Sequence, residues 1–401
     1  MSSVLITAGR LIVGPADKTI DDAALLLEGT TIVACGGRVE VAARAPESAV
    51  RLDFPDATML PGLIDAHVHL ALGGERDPIT PLRDRSPVRL ALDMAGRAQR
   101  ALAAGVTTVR DLGDPDGMAA ALRDAIAAGA VAGPRILTAT VPLTCPGGHL
   151  AAFGGEVASD REIRERVRRN AELGADLIKV MASGGALTPG GPPMWAAQFD
   201  AGQLRYIVEQ AAELGLAVAA HAHGTETIAH CVAAGVRTVE HCSWRTADGL
   251  RYDEAVTAEL VRRDVFVCRC ISGDWRAFLA QLGQANADAL CDAIRRMRRA
   301  GARFIAGTDA GVPGAPFGEY AGMLEFFAEI GFGNDEVIDM ATVTAAEALG
   351  IADRTGRLES GCAADVLVVE GDPRAELRSL RVPRLVVARG RIHRPVPGNE
   401  V

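Results

Sequence analysis

The sequence predicts a (β/α)8 barrel accompanied by a small β-sandwich that both ends of the chain build together. From about residue 58 to 351, short apolar segments alternate with amphipathic stretches, the texture of a parallel sheet wound with helices. Before and after that span the segments are β-like only, broken by Gly, Asp and Pro turns. No GxGxxG follows any strand candidate, which weighs against an open doubly wound sheet. The expected domains are a composite β-sandwich from 1–57 and 352–401, and a barrel from 58–351.

The elements justify this in order. VLITAGRLIVG, AALLLEG, TIVACGG and RLDFPDA make up the first β piece. Barrel strands are expected at 60–67, 105–111, 134–140, 175–181, 216–221, 236–241, 264–268 and 302–308. Helical stretches such as 160–173, 200–214 and 284–300 lie between them, several ending in glycine just before the next strand. After residue 352, TGRLESGCAADVLVVEGDP and RVPRLVVARGRIHRP read as hairpin-forming strands with Gly and Asp-Pro turns.

Composition narrows the class. Apolar residues make up 49% and charged residues 23% of the 401, enough for a large core. A net charge of -9 gives no electrostatic reason to bind nucleic acid or an anionic membrane. No apolar run reaches membrane-spanning length and the N-terminus lacks a signal pattern, so a cytoplasmic protein is expected. The eight cysteines lack CxxC spacing and are expected to be free thiols. Of the 42 basic residues only Lys18 and Lys179 are lysines. Lys18 sits in a polar turn, but Lys179 lies inside the apolar run ADLIKVMAS, where an ammonium is costly unless used. A buried lysine loses its proton readily, and a neutral amine is a nucleophile.

Polar residues gather where barrel strands end, the face on which such folds place their chemistry. MLPGLIDAHVHL ends in His67 and His69, which at i and i+2 leave a strand on the same side. A lone HxH fits core histidines as well as metal binding. Lys179 lies on the fourth strand, His221 and His223 end the fifth, His241 the sixth and Asp309 the eighth. Imidazoles with a carboxylate suit divalent transition metals, zinc first and manganese or iron behind it. The ligands exceed the needs of one tetrahedral ion, so a two-metal site that activates a bridging water is expected.

With PGLIDAHVHL, the barrel and the two-ended sandwich, the chain resembles the amidohydrolase superfamily over essentially its whole length. GVTTVRDLG, CPGGH, LIKVMASGG, AAHAHG, VEHCSW and GTDAG further resemble its imidazolonepropionase-like group, which includes Xaa-Pro and Xaa-Arg dipeptidases and ochratoxin-type amidases. The resemblance implies that His67, His69 and Asp309 hold one metal and that His221 and His241 hold the other. It also implies that Lys179, as a CO2-derived carbamate, bridges the two, and that His149 polarises a scissile carbonyl. The implied substrate is a small molecule with an amide beside a free carboxylate.

Around that centre, His223 is expected to contact substrate, and the loops 71–87, 188–199 and 268–275 to wall the pocket with Trp195 and Trp275. Arg76, Arg83, Arg85 and Arg269 are candidates for a carboxylate clamp. Arg110 and Asp111 are expected to form a structural ion pair beneath the site, His230 to pack on its helix, and His393 to have no role. The leading expectation is amide hydrolysis of an aminoacyl or N-acyl amino acid, with Asp309 taking the water's proton and passing it to the leaving nitrogen. Lactone, carbamate or phosphotriester hydrolysis and deamination are alternatives on the same centre. A non-catalytic scaffold is the remote one, which a missing ligand would mark, and none is missing. A homo-oligomer is also expected.

Overall fold

The computed structural model describes residues 3–393; residues 1–2 and 394–401, which belong to the expected β-sandwich, lie outside the described residues. Both ends of the chain contribute to one seven-stranded sheet. Its order is Arg391–His393, Pro383–Ala388, Val366–Glu370, Val50–Pro61, Ser3–Ile12, Thr19–Glu28 and Thr31–Gly37. Side chains alternate across these strands, so one chain segment serves two cores. Val366 and Val368 join Ile6, Leu25 and Met59 in a core of the sheet's own. Their neighbours Leu367 and Val369 point the other way, into the large core of the middle of the chain.

That middle region is α/β with parallel strands at all eight expected places. Leu63–Val68, Val106–Asp111 and Arg135–Thr138, the first to third, form one sheet. The fourth to eighth, Leu177–Met181, Ala217–Gly224, Thr238–Thr246, Phe266–Cys268 and Phe304–Ile305, form a second. Backbone bonds tie the two sheets on both sides. Ala66 N donates to Ala306 O at 2.9 Å and Asp309 N to His67 O at 2.9 Å, while Asp176 N donates to Thr138 O at 2.8 Å. Every residue of the first, second and fourth of these strands is buried, because both of their faces are covered.

The intervening helices start and stop for identifiable reasons. Ala201–Ala212 follows a capping box in which Asp200 accepts from Gln203 N and the Gln203 side chain accepts from Asp200 N. It buries Leu204, Ile207 and Ala211 at helical spacing, and each large apolar side chain contributes about 1.5–3 kcal/mol by leaving water. Asp160–Glu172 is capped by Ser159 and Gln284–Arg299 ends in a basic last turn that suits the helix dipole. The expected helices 160–173, 200–214 and 284–300 coincide with these three to within two residues at each end. Among the described residues no helix is long and apolar enough to cross a membrane, and all eight cysteines are free.

Candidate metal centre

Strand register brings the polar residues together. Met181 and Glu240 both lie opposite His221, and Glu240 lies opposite Cys268. His67, His69 and Asp309 offer ligand atoms within 4.8 Å of one another, as do His221, His223 and His241. Asp309 Oδ1 is 3.3 Å from His67 Nε2 and 3.5 Å from His69 Nε2. The His221 ring is 4.7 Å from His241 and 4.6 Å from both His149 and His223, centroid to centroid. All six histidines are buried. The fifth strand runs on to Gly224, so His223 lies on the strand beside His221 rather than out in a loop.

The backbone is bent to achieve this. His241 and Asp309 have φ of 67° and 61°, left-handed values that cost a non-glycine residue roughly 1–2 kcal/mol each. Glycines supply the close approaches. A Cβ at Gly307 would lie 2.5 Å from Cys268 Sγ and 2.9 Å from His67 Cβ, and one at Gly185 would lie 2.4 Å from the His149 ring. Any larger residue at Gly185 would displace His149. The loop carrying His149 is pinned by its own backbone N donating to Gln198 Oε1 at 2.7 Å.

A buried ion network lies under the histidines. Arg110 donates to Glu240 Oε1 at 2.8 Å, to Ala66 O at 2.6 Å and to Thr238 Oγ1 at 3.0 Å. Glu240 Oε2 faces His67 Nδ1 at 2.8 Å, fixing that ring so that Nε2 points toward Asp309. This corrects the expected Arg110–Asp111 pair: neighbouring strand residues face opposite ways, and Asp111 instead accepts from Leu70 N at 2.7 Å and Gly113 N at 3.0 Å. Asp65, pushed up to about 7 by burial, accepts from Thr308 Oγ1 at 2.6 Å and ties the first strand to the end of the eighth. Cys270 Sγ lies 3.1 Å from His67 Nδ1.

The residues fit a bound cation. Lys179 is fully buried and its Nζ has no hydrogen-bond partner; burial, against the pull of Glu240, lowers its hold on the proton. Its charge reaches His67, His69, His221 and His241 alike. Burial pushes His69 down to about 3 and holds His221, His223 and His241 well below the ordinary histidine value, leaving neutral lone pairs of the kind metal ions require. His67 is the exception. Burial opposes a charge there, yet Cys270 and Asp309 raise it well above its usual range, the behaviour of a spot that attracts positive charge. Burial would likewise raise Asp309, but His67, His69 and Lys179 together outweigh it and keep the carboxylate ionised.

These groups line a cavity of about 530 Å3, with apolar walls from Leu187, Met194, Ile271 and Phe278. His149, His223 and Lys179 face it, and burial brings His149 down to about 4. Trp195 does not: it is 42% exposed while its neighbour Met194 faces inward, so the expected aromatic wall is corrected to a methionine one. Trp275 is buried against Phe326, ring centroids 5.8 Å apart, and is also no part of the lining. Of the four arginine candidates, Arg76 and Arg269 line the cavity. Arg85 is taken up by Glu75 at 2.9 Å and Asp93 at 3.3 Å, and Arg83 is exposed on the helix Ile79–Asp84. Arg245, unmarked by any motif, lines it as well. His230 sits on the helix Thr225–Ala234 beside Glu226, and His393 in an edge strand.

Parallel strands that pool imidazoles, a lysine and a carboxylate at their C-terminal ends have the build of a hydrolase. The chain belongs to the Amidohydrolase family, which matches residues 58–392. Ochratoxinase from Aspergillus niger is 29% identical over 419 residues, covering 95% of this chain and 84% of that protein. Imidazolonepropionase from Mesorhizobium japonicum is 24% identical, covering 89% of this chain and 88% of that one. A crystal structure of a Xaa-Pro dipeptidase with methionine bound in its active site superposes with a TM-score of 0.86 at 27% identity, covering 98% of this chain and 100% of the other. The chain is a hydrolase acting on carbon–nitrogen bonds.

Proposed function

We propose that this hydrolase is binuclear and metal-dependent, and that it cleaves the amide of an aminoacyl or N-acyl amino acid. The observation that carries the reading is the unpartnered, fully buried Lys179 Nζ, which lines the same cavity as His69, His221 and His241. A neutral amine there can capture CO2, forming an N–C bond and releasing a proton, which replaces a costly buried cation with an anionic ligand. His67, His69 and Asp309 would hold one ion, and His221 and His241 the other, with the Lys179 carbamate shared. Two divalent ions, zinc by the donor set, would supply Lewis acidity and bring the acidity of water into the neutral range.

The chain's own residues do the rest. His149, neutral at pH 7, presents an N–H to the carbonyl oxygen and so favours the charge that builds up there. Asp309, ionised and beside His67, takes a proton from water and returns it to the departing nitrogen. His223, whose Nδ1 is 2.7 Å from Ser243 Oγ, is held in one orientation toward the bound molecule. Leu187, Met194, Ile271 and Phe278 exclude water from the acyl portion, and the arginines of the lining suit a free carboxylate. A dipeptidase that holds an amino acid in its active site is among the structural relatives, which supports release of an amino acid here.

The same proposal covers the architecture. The two parallel sheets, bonded on both sides, work as one (β/α)8 barrel of residues 58–351, and the terminal sheet curls into a sandwich of 1–57 and 352–401. Ile32 N donating to Cys362 O at 2.9 Å, which ties the edge strand Thr31–Gly37 to the loop leading into Val366–Glu370, supports the curl. Homo-oligomeric assembly and a cytoplasmic setting, the latter supported by the free thiols, complete it.

The test is incubation of the zinc-loaded enzyme with a panel of dipeptides, N-acyl amino acids, lactones and aminopurines. Release of a free amino acid is expected. Release of ammonia, or lactone opening without amide cleavage, would replace this reading with a deaminase or lactonase.

A further inference from the structure

Arg245 and Arg269 stand in the pocket wall with no acid to neutralise them. Arg269 is 4% exposed, and its one hydrogen bond runs from Nη1 to Cys270 O at 3.1 Å; its Nε is buried without a partner. Arg245 is half-buried, and its Nε is buried without a partner too. Neither makes a salt bridge among the described residues, whereas the other deeply buried arginine of the site, Arg110, has Glu240 at 2.8 Å. Burial first, and the charge of Arg245 as well, weaken Arg269's hold on its proton. Asp274, which also lines the cavity, is engaged in capping the helix Trp275–Leu282 through a bond from Ala277 N at 3.2 Å.

Both arginines also border a second, smaller cavity of about 30 Å3, walled by Ser243, Leu250, Phe278 and Asn286. They therefore lie where the two cavities share residues, with Ser243 and Phe278 common to both. A third cation, the exposed Arg76, lines the main cavity. A single carboxylate pairs bidentately with one guanidinium and leaves the second uncompensated in a low-dielectric wall, where repulsion between like charges is strong.

We propose that Arg245 and Arg269 form a dicarboxylate subsite, so that the amino acid released by this enzyme is acidic, a glutamate- or aspartate-like unit whose two carboxylates are divided between them. This rests on the amide-hydrolase reading and names its leaving group. The main cavity, at about 530 Å3, has room for such a unit together with an apolar acyl group against Met194 and Ile271.

The experiment compares kcat/KM for N-acetyl-glutamate and N-acetyl-glutamine, equal in length and differing in one charge, using zinc-loaded wild type and Arg245→Met. The subsite predicts at least a tenfold preference for the glutamate compound, falling toward one in Arg245→Met. Comparable turnover of both by wild type would overturn the subsite while leaving amide hydrolysis standing. If neither amide is cleaved, calorimetric titration of the same enzyme with glutarate and butyrate decides the subsite by itself, while the panel of dipeptides and N-acyl amino acids decides the amide reading. Glutarate binding at least tenfold tighter, with the gap closed in Arg245→Met, supports it; equal binding overturns it. Should Arg245→Met fail to fold, Arg245→Gln serves in its place.

Discussion

Glu240→Gln removes one charge from the centre of the buried network and keeps its shape. In the native chain Glu240 is fully buried, meets Arg110 at 2.8 Å on one oxygen and faces His67 at 2.8 Å on the other. Burial would raise its proton affinity, but Arg110 and then His67 hold the carboxyl well below its ordinary range. The amide leaves the Arg110 guanidinium buried without a counter-ion, and breaking a buried pair in this way costs about 3–5 kcal/mol. Set against a total stability of about 5–15 kcal/mol, that is a large fraction. The second consequence falls on His67, whose ring loses the carboxylate that orients it, at a cost of roughly 10–100-fold in metal affinity. Urea unfolding of the metal-free protein reads the first term, and zinc retention against a competing chelator reads the second. A variant with the wild-type unfolding midpoint and unchanged zinc retention would refute the role given to this network.

Three further substitutions separate the roles in the site. Lys179→Arg should abolish turnover although arginine fills nearly every other basic position of the chain, because a guanidinium does not deprotonate to capture CO2; near-normal turnover would make Lys179 a packing residue. Asp309→Asn should retain at least one metal and bind substrate while losing roughly two to four orders of magnitude in turnover, since an amide can coordinate but not accept a proton. Unchanged turnover would move the proton transfer to another group, His223 being the next candidate. His149→Asn carries a pH signature. The native ring titrates at about 4 and an unfolded one near 6.5, so between those values the unfolded chain binds the extra proton, and wild type loses stability as the pH falls. Below pH 6.5 the metal-free variant should therefore gain on wild type by up to about 1.4 kcal/mol per pH unit, levelling off near pH 4. A flat difference between the two denaturation curves across that window would contradict a buried neutral His149.

The sequence was informative where chemistry is local and mute where it depends on contact across the fold. Parallel strands lie at all eight expected places, because strands covered on both faces are rich in apolar residues and their turns are marked by Gly, Asp and Pro. His67 and His69 were legible from strand alternation and Lys179 from its apolar flanks. Glu240 was not, although it orients His67: its importance lies in partners 130 and 173 residues away, and a carboxylate next to His241 looks like any strand end. Arg110 reads as the partner of its chain neighbour Asp111, but its partner Glu240 lies on a strand of the other sheet. The pocket walls were least legible. Which of Met194 and Trp195 turns inward is decided by the path of a loop rich in proline and glycine, for which no periodicity exists to be read. Arg245 was lost among many arginines and stands out once the acids that pair with the others are located.

The most direct test of the account is elemental analysis paired with turnover on one preparation, expressed with zinc and bicarbonate and assayed on an N-acyl amino acid. The account predicts about two equivalents of zinc per chain, loss of amide hydrolysis on chelation and its return with zinc. Full turnover by protein that carries no transition metal would contradict it.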